Sequence, residues 1–208
     1  MSLDPARLSP VDRYRLLINS IVPRPIAWIT TQNAAGVVNL APFSFFNGVT
    51  ASPPIIQVCI AHRQPAKDTM ANLRATGEAV VHLVPGALLA AMHASGAEYP
   101  SSISEADALG LSYRPAERIR GSILSDAEIA FECTLVQAIP VGEPPTHLCL
   151  LEIVLAHISP AVAQVDGLPD PHLLRAIGRL GGRSYLTTED WRLTDLARGS
   201  VGRQKAEG

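Results

Sequence analysis

Asn39 to Asn47 reads NLAPFSFFN, and it holds Phe43, Phe45 and Phe46, three of the four phenylalanines in the chain. They stand beside Ala41, Pro42, Ser44 and Asn47. A segment dense in aromatics and small polar groups can lie against a flat apolar ring, offering backbone N–H groups to the ring's carbonyls and nitrogens. The same composition suits a hydrophobic plug closing a barrel end, or a contact between subunits. From these nine residues alone the two readings stand level.

The flanking segments set the context. Upstream, Arg24 to Thr31 (RPIAWITT) is β-branched and aromatic and reads as a strand, Gln32 to Gly36 supplies turn chemistry, and Val37 restarts an extended segment. NLAPFSFFN is then expected as a loop before the apolar run Ile55 to Ala61 (IIQVCIA), a strand packed on both sides in a barrel wall. Lys67 to Ala75 has helical spacing through Met70 and Leu73 and ends near Gly77. Ala79 to Val84 is another strand, Gly86 to Ala94 reads as a helix, and a short helix follows the loop Ser95 to Ser102, around Glu105 to Leu109. Glu128 to Ala138 and His147 to Ile158 are long strands joined through the turn-rich Pro140 to Thr146, which predicts an antiparallel hairpin. Helices are also expected at Asp12 to Ile18 and Leu173 to Ile177. The fold class is therefore mainly β: an antiparallel barrel with peripheral helices. A single domain is expected over residues 1–208, with its core at about 12–186 and a polar tail at 187–208.

Composition narrows the function. The 208 residues are 47% hydrophobic and 17% charged with a net charge of −2, enough for a continuous core and without the basic face that nucleic acid requires. Seventeen prolines and fifteen glycines suit short strands and many turns. No stretch reaches the ~18 uncharged apolar residues of a membrane span, and Asp4, Arg7, Asp12, Arg13 and Arg15 stand where a signal peptide would be apolar. Cys59, Cys133 and Cys149 are odd in number and lie far apart in apolar runs, which predicts free thiols in a reducing cytoplasm and no metal site.

Few residues offer chemistry. Lys67-Asp68-Thr69 opens a predicted helix, where free N–H groups, an ammonium and a hydroxyl would attract phosphate; in isolation it reads more readily as an ordinary first helical turn. Arg24, stiffened between Pro23 and Pro25, suits a phosphate contact or a surface ion pair. GRLGG, Gly178 to Gly182, lacks the lysine-hydroxyl pair of a P-loop and follows no strand, so it is neither that loop nor a Rossmann fingerprint. The six histidines show no metal-ligand spacing, and Ser44 has no nucleophile-elbow context. The residues suit a flat phosphorylated ligand yet supply no catalytic set, which favours a cofactor bringing its own chemistry.

VPRPIAWITT, Ala35-Gly36, NLAPFSFFNGVTASPP and PAKDTMANLRATGEAVVHLV, between Val22 and Val84, resemble the flavin-reductase-like family of FMN-binding split barrels. EYP at Glu98, ALGL at Ala108, FECTL at Phe131 and IGRLGGRSY at Ile177 continue the match in order across nearly the whole chain. The resemblance implies an antiparallel split β-barrel and a homodimer, with FMN near the interface. Ala41, Pro42, Phe43, Ser44, Phe45 and Phe46 would border the isoalloxazine, with Asn47 closing the loop. Thr30, Thr31 and Asn39 would lie near the ring or ribityl chain, and Arg24, Lys67, Asp68 and Thr69 near the ribityl chain and phosphate. Tyr185 would approach from the tail. The implied activity is NAD(P)H-dependent flavin reduction, with NADH or NADPH as donor and no obligatory side-chain acid or base. A partner oxygenase or an electron-transfer protein would take the electrons. A non-enzymatic FMN electron carrier of the flavoredoxin kind and a catalytically silent flavin-binding dimer need the same pocket. His147 is a candidate near the nicotinamide; THLCLLEIV departs from the family in having Leu151 where a glycine is expected.

Overall fold

The computed structural model describes residues 2–187, so most of the expected polar tail lies outside the described residues. Seven antiparallel strands form the main sheet: β1 (Ala27–Gln32), β2 (Val38–Phe43), β3 (Phe46–Ala51), β4 (Pro54–Ile60), β5 (Glu78–Leu83), β8 (Ile129–Val141) and β9 (Thr146–Ile158). Their order is β2-β1-β5-β8-β9-β4-β3. β2 and β3 thus stand at opposite edges of the sheet, yet only Ser44 and Phe45 separate them in the chain. Two residues span at most about 7 Å, so the sheet must curl until its edges meet. The result is a split barrel, joined at the seam by the chain itself, and Cys59 N–H, donating to the Phe45 carbonyl at 2.9 Å, carries the β3–β4 ladder up to that joint.

Alternation along the strands fills the interior. Ala27, Ile29, Phe43, Phe46, Ile56, Val58, Ile60, Val81, Cys133, Cys149 and Leu151 point inward. Helix α2 (Asp68–Thr76) closes one end with Met70 and Leu73 and stops at Gly77, whose φ of 72° is the left-handed conformation of a helix end. On the outer face Ile26, Trp28 and Leu40 pack beneath α3 (Leu89–Ser95) and α4 (Glu105–Ala108), and Trp28 Nε1 donates to Ser95 Oγ at 2.9 Å. A small hairpin, β6 (Tyr113–Pro115) with β7 (Ser122–Leu124), covers Val80 and Ala130 through Ile123. Near the N-terminus α1 (Pro10–Ser20) is capped by Ser9 Oγ, which accepts from Asp12 N–H.

Several expectations are corrected. The first strand begins at Ala27 rather than Arg24, because Pro23 and Pro25 remove backbone donors; Arg24 instead makes a single bridge with Arg179. NLAPFSFFN is not a loop but two strand ends around the Ser44-Phe45 joint. β8 extends through Pro140 to Val141, where β5 no longer flanks it and the missing N–H costs nothing. Leu173 to Ile177 is no helix: Leu173 and Leu174 bond back to Asp170 in one turn, and Ile177 N–H is drawn to the Val84 carbonyl as its side chain buries. β6 and β7 were not foreseen, being three residues each. β10 (Gly178–Arg179) and β11 (Tyr185–Leu186) form a further short pair.

Two buried polar groups tie the outer elements to the barrel. Glu132, 0% exposed, accepts from Glu117 N–H, Arg118 N–H and His157 Nε2 at 2.7–2.8 Å. Burial alone would raise its pKa, but these donors outweigh it and hold the carboxyl below its ordinary value. His82, also 0% exposed, has Nδ1 2.9 Å from the Trp28 carbonyl, while Leu124 N–H donates to its Nε2 at 3.1 Å. A carbonyl only accepts and an amide only donates, so the ring is neutral with its proton on Nδ1. Burial brings its pKa down to about 4.

That shift has a signed consequence. Between pH 6.5 and about 4 the unfolded chain protonates this histidine and the folded chain does not, so stability falls as pH falls through the window. The His82 contribution lost across it is roughly 3 kcal/mol. Thermal melts from pH 7 to 4 should show this loss in the native protein and a shallower slope in His82→Asn; equal slopes would assign the acid sensitivity elsewhere.

Candidate functional site

Strand β2 lies at an edge of the sheet, and a groove runs along it. Two cavities make up the groove, of about 550 and 220 Å³, and they meet at Pro42, Phe43 and Gly96. Gly96 packs closely at the junction: a Cβ there would lie 3.3 Å from the His93 carbonyl and 3.4 Å from Pro42 Cγ.

The smaller cavity is built on the start of α2. Asn39, Ala41, Lys67, Asp68, Thr69 and Glu105 line it, with Arg63 and Glu98 paired at 2.9 Å on its rim. Lys67 is the N-cap but makes no side-chain capping bond, so the first N–H groups of the helix are left for another acceptor. Its ammonium stands 5.5 Å from the Phe43 ring centroid. Burial lowers the Lys67 pKa, Arg63 lowers it further and Glu98 acts against them. A half-desolvated ammonium beside a second cation is a strong attractor for an anion.

Behind Lys67 lies a buried amide-hydroxyl network. Asn39 Nδ2 donates to Thr69 Oγ1 at 2.9 Å and to Thr31 Oγ1 at 3.3 Å, and Asn72 Nδ2 donates to Thr31 Oγ1 at 3.0 Å. Thr69 therefore accepts inside the protein and keeps its own hydroxyl proton to donate. Glu105 was not singled out from the sequence. Its Oε2 accepts the Leu40 N–H at 2.7 Å, satisfying an edge donor of β2. Burial first, and Asp68 in addition, raise its pKa. In the sequence it read only as the start of a short helix after Ser104.

The larger cavity is formed by Tyr14, Arg24, Ser44, His93, Arg179 and Tyr185, with Pro42 and Phe43 as its shared wall. Arg24 is 5% exposed and held by main chain: Nη1 donates to the carbonyls of Ile18 and Ile21 at 2.7 and 2.8 Å, Nη2 to that of Leu180 at 3.0 Å, and Nε reaches Ser44 Oγ at 3.5 Å. Arg24 is thus no surface ion pair. Tyr185 OH lies 2.9 Å from His93 Nδ1, and the Arg179 guanidinium sits 4.4 Å over the Tyr185 ring. GRLGG supplies a tight fold: a Cβ on Gly181 would collide with Asn19 Oδ1, and Gly182 has a φ of 58°.

The structure brings together Arg24, Asn39, Ala41, Pro42, Phe43, Ser44, Lys67, Asp68, Thr69 and Tyr185 as groove lining. Thr31 stands behind it. Phe45 lies beside it, 6.4 Å from the Tyr14 ring. Phe46 is in the barrel interior, so the plug reading of the aromatic cluster describes this residue. Besides Phe46, two expected residues are not brought to the groove. Thr30 turns to the opposite face of β1 and donates to the Ser122 carbonyl at 2.5 Å, because neighbours on a strand face opposite ways. Asn47 is exposed on β3 and bonds the N–H of Gly48. His147 lies in a third cavity, reaching Lys67 from the far side, with Nε2 2.7 Å from Arg74 Nη2. Burial, then Arg74 and His62, lower its pKa. Leu151, where the resemblance expects glycine, fills the barrel core.

A split barrel whose edge groove pairs an aromatic wall with a cationic helix start defines the class of flavin-binding split barrels. The chain belongs to the flavin reductase like domain family, whose model matches residues 19–168. An uncharacterised protein of Halalkalibacterium halodurans is 38% identical over 191 residues, 89% of this chain and 91% of the relative. Nitrilotriacetate monooxygenase component B from Bacillus cereus superposes with a TM-score of 0.89 at 33% identity, covering 94% of this chain and 98% of that one. The 2-nitrobenzoate 2-nitroreductase of Pseudomonas fluorescens gives 0.86 at 29% identity, covering 97% and 100%.

Proposed function

We propose that this protein binds FMN along the β2 groove and acts as an NAD(P)H-dependent flavin oxidoreductase. The observation that carries the proposal is the continuity of the groove. An aromatic, ring-sized cavity opens past Pro42 and Phe43 into a smaller one headed by Lys67 and the uncapped start of α2. Lys67, Thr69 and the leading N–H groups of α2 would hold the phosphate, with Asn39 setting Thr69. Ala41 to Ser44 would border the ring and Tyr185 its far side. Arg24 keeps the floor of the larger cavity in place through its carbonyl contacts. When bound, the flavin supplies the redox chemistry, taking hydride from NADH or NADPH. The protein's share is to hold two rings in stacking range and exclude water. His82, the most deeply buried histidine of the outer layer, is engaged at both nitrogens and takes no part.

The same reading includes a homodimer. β3 is an edge strand exposed from Asn47 to Ala51, with Val49 more than half exposed; an open edge of this kind suits a second copy. The name of the Bacillus cereus protein, a monooxygenase component B, supports a partner oxygenase as the consumer of reduced flavin. Three free thiols, two of them buried, support a reducing compartment such as the cytoplasm. Among the described residues no helix is long and apolar enough to cross a membrane.

The direct test is anaerobic stopped-flow absorbance at the oxidised-flavin band, mixing FMN-loaded protein separately with NADH and NADPH. Rapid bleaching by at least one donor is expected. Binding of FMN without bleaching by either donor would refute the reductase and leave an electron carrier or silent binder. In the same preparation light scattering should give twice the 22.1 kDa chain mass; a monomer that still holds FMN would refute the dimer.

A further inference from the structure

Basic residues stand at both ends of the groove, and the two ends share none; at the α2 end they stand among Asp68, Glu98 and Glu105. Lys67 and Arg63 serve one end; Arg24, Arg179 and Arg183 serve the other. A mononucleotide carries one phosphate group, so the proposed ligand accounts for one end and not for both.

The arginine end is built. Arg24 and Arg179 are locked side by side by reciprocal backbone hydrogen bonds, Arg24 N–H to the Arg179 carbonyl at 2.9 Å and Arg179 N–H to the Arg24 carbonyl at 2.8 Å. The proximity of Arg179 contributes to lowering the Arg24 pKa, after burial. Among the described residues no carboxylate lines this cavity and none of the three arginines forms a salt bridge. Arg24 has its donors spent on carbonyls. Arg179 does not: Nη2 donates to the Gly182 carbonyl at 2.6 Å, its guanidinium lies on the Tyr185 ring, and its buried Nη1 has no hydrogen-bond partner among the described residues. A buried guanidinium nitrogen lacking an acceptor is uncommon, because the desolvated donor is costly to leave unmade. Arg183, exposed at the mouth, adds a second fork. Paired guanidinium forks match phosphate oxygens in geometry and charge.

Resting on the flavin reading above, we propose that Arg179 and Arg183 form a second anion subsite that receives the pyrophosphate of the dinucleotide donor. Its position past Ser44, at the ring end of the groove, places that donor where its nicotinamide would meet the flavin. The GRLGG turn then has a purpose beyond packing. Its glycines let the segment fold against Asn19 and carry Arg179 and Arg183 to the cavity.

The test is calorimetric titration of ADP-ribose, a redox-inert fragment carrying the pyrophosphate, into the full-length protein with and without FMN. Arg179→Ala and Arg183→Ala should each weaken ADP-ribose about tenfold or more, the size of one lost charge-assisted contact, and Arg179→Lys should fall between. Because Arg179 also packs on Tyr185, the exposed Arg183 provides a variant that leaves the fold intact. The ratio of FMN to riboflavin affinity should stay unchanged in all three. Unchanged ADP-ribose binding in Arg179→Ala and Arg183→Ala would overturn the proposal, as would a loss of FMN preference over riboflavin in Arg179→Ala, which would move the flavin phosphate to this end. If the protein holds no FMN but binds ADP-ribose through Arg179, the subsite stands and the flavin reading falls.

Discussion

Ser44 and Phe45 carry the chain from one edge of a seven-stranded sheet to the other, and the rest of the molecule follows from how short that passage is. Two residues cannot bridge an open sheet, so the sheet curls, and the interior that results is filled by alternate side chains from all seven strands. The joint also decides where a ligand can lie. At an ordinary hairpin β2 would be paired on its outer side; here that side is an edge, and the groove runs along it. Pro42 has no N–H to expose there, and Glu105 takes the N–H of Leu40. The edge is thereby protected from pairing with another strand while it remains open to a ring.

Polar groups hold the two ends of this groove by different means. At the α2 end, buried amides and hydroxyls orient one another until Thr69 keeps its own hydroxyl proton to donate, while the Lys67 side chain makes no capping bond and lies over the Phe43 ring. At the other end a strut of main-chain carbonyls fixes Arg24, which in turn fixes the backbone of Arg179. Both ends are preorganised before a ligand arrives, which lowers the ordering cost of binding. His82 and Glu132 perform the equivalent task outside the site, anchoring β7 and the 116–121 turn to the barrel.

Much of this was legible in the sequence, and for identifiable reasons. β4, β8 and β9 declared themselves through long apolar or alternating runs, and α2 through its periodicity and Gly77. The Asn39 to Asn47 run stood out through its crowded aromatics, whereas Lys67 and Thr69 read as an ordinary helix start until the family resemblance singled them out; the structure lines one groove with residues of both. What failed was non-local. Whether NLAPFSFFN is loop or strand depends on pairing with β1 and β4, which are distant in space until the barrel closes. Thr30 and Thr31 look alike in sequence, yet strand alternation sends one to Ser122 and the other to Asn39 and Asn72. Leu173 to Ile177 has helical spacing but is pulled into contact with Val84. Glu105 gave no signal beyond an acidic first turn, since its role rests on an edge N–H supplied from 65 residues away.

In the proposed function the start of α2 is the phosphate end of a flavin groove. This assignment is tested most directly by titrating FMN and riboflavin, which differ only in the phosphate, into the native protein and Lys67→Ala, following flavin fluorescence. The account predicts that the substitution weakens FMN by about tenfold or more, as expected for a lost charge-assisted contact, and leaves riboflavin within about twofold. Equal weakening of both ligands, or of neither, would contradict it.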